Sequence, residues 1–425
     1  MAMDFPSTPT VGQKYPATPI AGIPTYTWDG EKWTTIPGPT SSKTPVYTDG
    51  STPMTAQLTV LDPPVASTNA ASKNYVDARI RFDAAQALTS AQRSQARANI
   101  GSYKNYIING GMMIQQGNVP GLTATMPGYW AADMWVIAHN GSGTPTFTAP
   151  LSYTPGGSPS RLRVVATAAD ATVAAADYVF ISQSIEGLRM TDTKFGTPQA
   201  KTITLQFGVR APAGTYHVSF NNGDFNRNYI MEYVIAPGEA NTDVVRSFTV
   251  ALDQTGTWNG NNTGAFNINW GLVVGSNRHA AKNVWQAGNF NATASQFNLM
   301  GTAGNTWELF DVSLVEGIAA PPFVLPDYIS ELRLCQRYFE TVNGIGFGYW
   351  GDVVNAGGYR AYGTFKVAKR AVPTMYGESA YQYAFPVTVG TLTASLENFN
   401  EQRAANSAAA PGAFQTNIWA SARIG

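Results

Sequence analysis

Charge, cysteine and histidine are all scarce in this chain of 425 residues. Charged side chains make up 13% of it, about half the usual share for a soluble domain. The 27 basic and 27 acidic residues cancel. A chain without a basic field has little to draw phosphates or anionic lipid, so nucleic acid and membrane surfaces are poor candidate partners. The single cysteine, Cys335, excludes an internal disulfide framework and any multi-thiolate zinc site. Three histidines, His139, His217 and His279, leave little for histidine-based metal or triad chemistry, and no cofactor is expected. No stretch approaches the ~18 consecutive apolar residues of a membrane span. The opening Met1-Ala2-Met3-Asp4-Phe5-Pro6 has neither a basic region nor an apolar run, so no secretory signal is expected. What is present is 44% hydrophobic residues, 12% aromatics, 41 Gly and 26 Pro. That profile suits a mainly β chain with many turns.

The first 65 residues stand apart. Prolines at 6, 9, 16, 19, 24, 37, 39, 45, 53, 63 and 64 are too many for a helix or a central strand. Between them, Tyr26-Thr27-Trp28-Asp29-Gly30-Glu31-Lys32-Trp33 reads as a β-hairpin with a type I′ Asp-Gly turn. A two-stranded ribbon is marginal alone. The arm is therefore expected to be held by a neighbouring chain, with packing on its own domain as the alternative. Residues 66–102 turn rich in Ala, Gln, Ser and Arg. One short helical face runs over 71–80, and Thr89-Ser90-Ala91-Gln92 has the spacing of a capping box that opens a second helix ending at Gly101. Such short helices read as a hinge or a small inter-chain bundle.

From 103 to 325 the hydrophobic period becomes two. Lys201–Val209 alternates, as do Tyr216-Val218-Phe220, Phe266-Ile268-Trp270-Leu272-Val274 and, less perfectly, 307–313. With 163–168, 177–186, 228–235 and 244–252 this predicts eight strands and no intervening helices, an antiparallel jelly-roll β-sandwich. A connecting helix is predicted over 326–340, opened by Pro326-Asp327, with Ile329, Leu332, Cys335 and Phe339 on one face. Residues 341–425 return to strands at 359–368, 380–388 and 413–423, a smaller C-terminal β domain.

Most motifs lack the context their chemistry needs. Gly346-Phe347-Gly348-Tyr349-Trp350-Gly351 has the letters of a dinucleotide fingerprint, but no helix follows to face a pyrophosphate. Cys335 reads as a buried structural thiol, and the histidines as strand or loop residues. Asn140, Asn261 and Asn291 begin Asn-x-Ser/Thr triplets that matter only in a glycosylating pathway. Asp133, Glu186, Asp192, Asp224, Glu232, Glu308 and Asp311 could supply a glycosidase carboxylate pair, though linear sequence brings no two together. Aromatic and amide groups are more suggestive. Trp258, Asn259, Asn261 and Asn262 lie in one loop, Trp285 and Gln286 in another, with Asn221-Asn222 assigned to a third. Rings supply flat contact for the C–H faces of sugars and amides both donate and accept, so these are the candidate glycan contacts. The plainer alternative is that they only pack and turn.

Several segments resemble bacteriophage tail-fibre, collar-fibre and receptor-binding proteins. Gly12-Gln13-Lys14-Tyr15 and the Tyr26–Trp33 hairpin are similar to a small hairpin near the N-terminus of many tail appendages. Pro64–Asp77 resembles a stretch of tail fibres and Leu88–Gly101 a linker of the same proteins, the latter being the most specific match. Asn105–Gly117, Ala131-Ala132-Asp133-Met134-Trp135, Val312–Gly317 and Glu331–Phe339 are similar to the opening and close of a phage jelly-roll domain, and Val372-Pro373-Thr374 to the start of the domain after it. The resemblance implies a structural virion protein without enzymatic activity, made in the bacterial cytoplasm and carrying a carbohydrate-binding-like jelly roll. It further implies a homotrimer fixed to tail, neck or baseplate proteins through residues 1–65, with Tyr26, Trp28 and Trp33 in the attachment segment. Asp133 and Trp135 would define the fold, and a host-surface glycan or envelope receptor would meet the loops at 140–160, 221–227 and 255–264. A purely structural collar or tail decoration and a polysaccharide depolymerase are the rival readings.

Overall fold

The computed structural model describes residues 4–21, 23–35, 89, 92, 96, 103–117, 131–141, 143–349, 358–377, 381–383, 391–404 and 412–424. The chain divides into two compact units, residues 1–85 and 86–425. Residues 71–80 and the Pro64–Asp77 match lie outside the described residues.

In the first unit, strands β1 (Lys14–Tyr15), β2 (Tyr26–Trp28) and β3 (Trp33–Thr35) form one antiparallel sheet. The predicted hairpin is β2–β3, and β1 adds a third strand. Its turn differs from the expected type I′. Trp28 pairs with Trp33, which leaves a four-residue loop in which only Gly30 has positive φ. Asp29 Oδ1 accepts from the amides of Glu31 (2.9 Å) and Lys32 (2.8 Å). Asp29 N donates to Lys32 O at 3.1 Å, the Asp29 side chain takes the place of its carbonyl for the return bond, and the Lys32 and Glu31 amides hold the Asp29 carboxyl below its usual range. Phe5, from the Pro-rich segment, stacks on Trp33 (5.1 Å, 24°) and meets Tyr26 and Tyr15 edge-on or tilted. Trp28 lies 5.6 Å from Trp33. Tyr26, Trp28 and Trp33 are thus half-buried in a local aromatic cluster.

The second unit opens on the predicted capping box. Gln92 N donates to Thr89 Oγ1, Thr89 N donates to Gln92 Oε1, and Gln92 and Ala96 are helical. Eleven strands follow in the sandwich, where eight were predicted: β4 (Val136–Asn140), β5 (Thr144–Thr148), β6 (Leu162–Ala168), β7 (Tyr178–Glu186), β8 (Thr202–Arg210), β9 (Gly214–Asn222), β10 (Arg227–Ile235), β11 (Val244–Ala251), β12 (Gly264–Val274), β13 (Gln286–Ala287) and β14 (Thr306–Glu316). The eight are all present; β4, β5 and β13 are additional. A six-stranded sheet, β13-β10-β9-β12-β7-β4, faces a five-stranded sheet, β11-β8-β14-β6-β5, and every pairing is antiparallel. Alternation sets the faces. Phe266, Ile268, Trp270 and Leu272 of β12 point inward with Val218 and Phe220 of β9 and Leu205, Phe207 and Val209 of β8, all fully buried. Asn221 and Asn222 prove to be the buried last residues of β9, held by the strand pairings that end there.

Helix α1 (Gly187–Met190) is a single turn after β7. Helix α2 (Tyr328–Gln336) begins where expected, with Asp327 capping Ser330 N, but ends at Gln336, and Phe339 already belongs to a strand. Its buried side is Glu331, Cys335 and Gln336, while Ile329 is 53% exposed. Leu332 and Cys335 of the predicted face do pack together in a small apolar cluster, and Glu331 Oε1 accepts the buried amide of Asn109. Burial pushes the Cys335 thiol well up. Trp135 Nε1 donates to Asn109 O (2.9 Å) and Asp133 accepts from Gln116 (2.7 Å), so both signature residues brace the 105–117 segment.

Seven strands complete the unit: β15 (Phe339–Tyr349), β16 (Gly358–Thr364), β17 (Thr374–Gly377), β18 (Tyr381–Tyr383), β19 (Thr391–Ala394), β20 (Asn398–Ala404) and β21 (Gly412–Ser421). Strand β21 pairs with β15, β17 and β18, while β16, β20 and β19 form a three-stranded sheet. Gly346 and Gly348 sit inside β15, so the fingerprint letters fall on a strand. The chain is mainly β throughout, and no described helix is long and apolar enough to cross a membrane.

Candidate functional site

The outward face of the six-stranded sheet carries an unusual set of side chains. The inward half of β12 is Phe266, Ile268 and Trp270; its outward half is Asn267 and Asn269. Strand β7 turns Tyr178, Phe180, Ser182 and Ser184 outward, and β9 turns out Ser219 and Asn221. Above them runs a strap, residues 275–295, that brings Arg278, Asn289 and Asn291 over the sheet. The named residues of β7, β12 and the strap line a cleft of about 290 Å³, closed at its rim by Val136, Ala138, Phe225 and Ile424. An adjoining cleft of about 370 Å³ shares Phe225, Asn267 and Ile424 and adds Gly223, Asp224, Asn259, Thr263, Gly264 and Arg370.

The floor is a connected amide–hydroxyl network. Asn269 Nδ2 donates to Asn221 Oδ1 (2.9 Å), Asn291 Nδ2 to Ser219 Oγ (2.9 Å), and Ser184 Oγ to Asn267 Oδ1. Asn267 Nδ2 donates to Asn222 O at 3.1 Å. Network members hold one another in place, so the groups not consumed are pre-aimed. Among the described residues, Ser182 Oγ and Asn269 Oδ1 make no hydrogen bond, and Asn289 Oδ1 is a buried acceptor without a partner. Tyr178 and Phe180 stack on each other at 5.1 Å and 15°. The cleft therefore offers flat rings beside fixed donors and acceptors, the combination that a polyhydroxylated ring requires.

Phe225 joins the two clefts. It is 38% exposed and has φ of +53°, a left-handed conformation that an aromatic residue adopts at a cost of about 1–2 kcal/mol. Asn222 enforces it: its Oδ1 accepts the amides of Asn226 (2.9 Å) and Arg227 (3.1 Å). The loops 221–227 and 255–264 thus both reach the second cleft. Loop 140–160 lines neither and instead exposes Leu151 and Tyr153.

The residues singled out in the sequence are only partly together. Trp258 and Trp285 meet edge-on at 5.6 Å. Both pack against the sandwich core, and their indole N–H groups are taken by Thr255 O and Ala251 O. Gln286 is bound to Asn228 and to Ala281 O. Asn261 accepts from Thr263, and Asn262 exchanges hydrogen bonds with Arg370. Of the six, Asn259 alone lines a cleft. Missed were Tyr178, Phe180, Ser182, Ser184, Asn267, Asn269 and Asn291. The signal lay in β12, where the polar half of the alternation is asparagine rather than the usual Thr or Lys.

The carboxylates do not converge on the clefts. Glu186 is bound by Arg337 and Tyr338, Asp192 by Lys104, Glu308 by Arg161 and Arg163, and Asp311 by Thr154 and Ser158. Asp224 is the one carboxylate among the cleft-lining residues. No cluster of three metal-ligating residues exists among the described residues.

The strap is clamped at one end. Glu232 Oε1 accepts from Thr293 and Ser295 (both 2.6 Å), Glu232 Oε2 pairs with Lys282, and buried His217 Nε2 lies 3.0 Å from Thr293 Oγ1. Burial lowers His217 to about 4, against the pull of Glu232. Burial raises Glu232, but Lys282 and the two hydroxyls outweigh it and bring the carboxyl to about 2. A histidine depressed in the fold is favoured while neutral. Its contribution is whole above pH 6.5 and is lost as pH falls towards 4, by about 3 kcal/mol in total. Glu232 continues the loss from 4.5 down to 2. Buried Asp133, raised to about 6, works oppositely, destabilising as pH rises from 3.8 to 6. His217→Gln isolates the histidine: its stability relative to the native chain should improve by about 3 kcal/mol between pH 7 and pH 4. Parallel denaturation curves for the two proteins across that range would refute the assignment.

Fold and cleft together define a mainly β protein with a polar, aromatic-sided cleft on one face of an antiparallel sandwich. No protein-family model and no curated protein matches the sequence. Solved structures similar to it include the enzymatically active domain of tailspike protein 4 of bacteriophage CBA120, at 11% identity and a TM-score of 0.27, covering 50% of this chain and 21% of that one. A family 4 carbohydrate-binding module follows at 13% identity and 0.25, covering 49% and 97%. TmCBM61, solved with β-1,4-galactotriose, stands at 11% and 0.25, covering 50% and 99%. The chain thus spans about a fifth of the tailspike domain's length.

Proposed function

We propose that the chain is a non-enzymatic subunit of a bacteriophage tail or collar fibre that binds a host-surface glycan in the outward cleft of its six-stranded sheet. The observation that carries the binding role is the cleft: a preformed floor of Ser and Asn with unsatisfied acceptors, beside stacked Tyr178 and Phe180. The virion role is supported by the sequence resemblance of residues 12–33, 64–77 and 88–101. On this reading residues 1–65 dock on other virion proteins, with Tyr26, Trp28 and Trp33 in the attachment segment, and the protein is a homotrimer located in the virion.

Glycan-array binding by the intact protein is the direct test. Asn269→Ala removes an acceptor from the floor and should weaken binding about tenfold, the worth of roughly one hydrogen bond. Phe225→Gly should weaken it similarly while leaving stability within about 1 kcal/mol, because relief of the left-handed strain offsets lost contact. Unchanged binding in both variants would move the site elsewhere. Loss of particle assembly, with no glycan bound by the native chain, would instead favour a purely structural decoration protein.

A further inference from the structure

We infer that the cleft is built for an acidic glycan, with Arg278 receiving the anionic group of a uronic acid or phosphorylated sugar. The inference rests on the glycan reading of this cleft and narrows it to a substrate class.

The ground is how this charge-poor chain spends its cations. Around the sandwich, Arg161 is matched by Asp243 and Glu308, Arg227 by Asp253, Arg246 by Glu239, Lys201 by Glu316, Lys282 by Glu232 and Arg337 by Glu186. Arg189, Lys194, Arg210 and Arg278 have no ion pair among the described residues, and of these four Arg278 alone lines a cleft. Arg278 is the one charged side chain in the lining of the first cleft. One hydrogen bond is made, from an Nη to Asn291 Oδ1 at 3.3 Å. Its position is nevertheless fixed, because the guanidinium lies 4.9 Å from the Tyr178 ring centroid and 5.8 Å from that of Phe180. Stacking on ring faces orients the plane of the group and leaves its edge donors for a planar or tetrahedral oxyanion.

A second cation lies in the adjoining cleft. Arg370 gives its Nη groups to the carbonyls of Asn262 and Arg423, and its buried Nε has no partner. The two joined clefts therefore hold two arginines against the single carboxylate of Asp224. A concave, low-dielectric wall concentrates such a local excess even when the whole chain is neutral. A neutral sugar would gain little from an unpaired guanidinium at its edge. An acidic one would complete the ion pair that every matched cation of the sandwich already has.

The test uses the intact protein and matched oligosaccharides of one linkage: the neutral hexose form, the corresponding uronate, and the 6-phosphate. At low salt the acidic forms should bind at least tenfold tighter than the neutral form, and that margin should shrink as ionic strength rises. Preference for uronate over phosphate, or the reverse, identifies the source of the anion. Arg278→Gln should abolish the margin, and Arg278→Lys should keep part of it. Equal binding of neutral and acidic forms, or a margin surviving in Arg278→Gln, overturns the inference and leaves the glycan reading standing. Binding of no form at all overturns both.

Discussion

Lys369→Met should cost the protein about 3–5 kcal/mol, while Lys369→Met combined with Glu340→Gln should recover most of that loss. Lys369 and Glu340 form a wholly buried ion pair, Nζ to Oε2 at 2.6 Å, with side chains 0% and 1% exposed. Nζ also donates to Gln336 O, and the carboxylate accepts the Lys366 amide. Burial pulls the Lys369 ammonium below its ordinary range, and the carboxylate opposes that pull. Removing the cation alone strands a carboxylate in a medium that solvates it poorly. Neutralising both ends removes the stranded charge, and glutamine still offers an acceptor to Lys366 N. Denaturant unfolding of native, single and double variants measures the contrast. Equal losses in single and double variants would mean that the pair is held by packing and not by charge.

The second large effect separates the two faces of one strand. Trp270→Ala should lower stability by about 3–5 kcal/mol, the range for emptying a large aromatic site in a packed core. Trp270 is fully buried, 5.6 Å from Trp135 and edge-on to Phe207 at 5.7 Å. Its indole nitrogen has no partner, so Trp270→Phe should lose less than its lost area suggests, because an unpaired donor leaves with the ring. Neighbouring Asn269 faces the cleft, and Asn269→Ala should do the reverse, costing ligand affinity with a smaller effect on unfolding. Thermal denaturation and glycan binding measured on both variants give the comparison. A Trp270→Ala protein that keeps native stability would contradict the inward assignment of this strand.

Much of the architecture was legible because it rests on local rules. The eight strands came from alternation, the 89–92 capping box from its spacing, and the burial of Cys335 from its helical neighbours. What escaped depended on partners far away in sequence. Strands β4 and β5 carry mixed residues, and each becomes a strand through pairing with β7 and β6. The burial of Glu331 on α2 was not legible because its partner is an amide 222 residues away. The cleft escaped for the same reason. Asn221, Asn269 and Asn291 form one network only when β9, β12 and the strap are brought together. The Trp and Asn of the loops mostly satisfy their own turns, whereas Ser182 and Asn269 lie on strands and Asn289 in the strap.

The place of β21 also orders the folding of the C-terminal strands. Strands β15, β17 and β18 make no sheet with one another except through β21, so during synthesis they must wait unpaired until residues 412–421 leave the ribosome. Phe339 and its partner Ser421 are 82 positions apart, a long loop to close and a slow step by the usual dependence of rate on sequence separation. A chain stopped before residue 412 would expose three open strand edges at once, and such edges are templates for aggregation. This sheet is all-or-none: it assembles only when its last strand arrives.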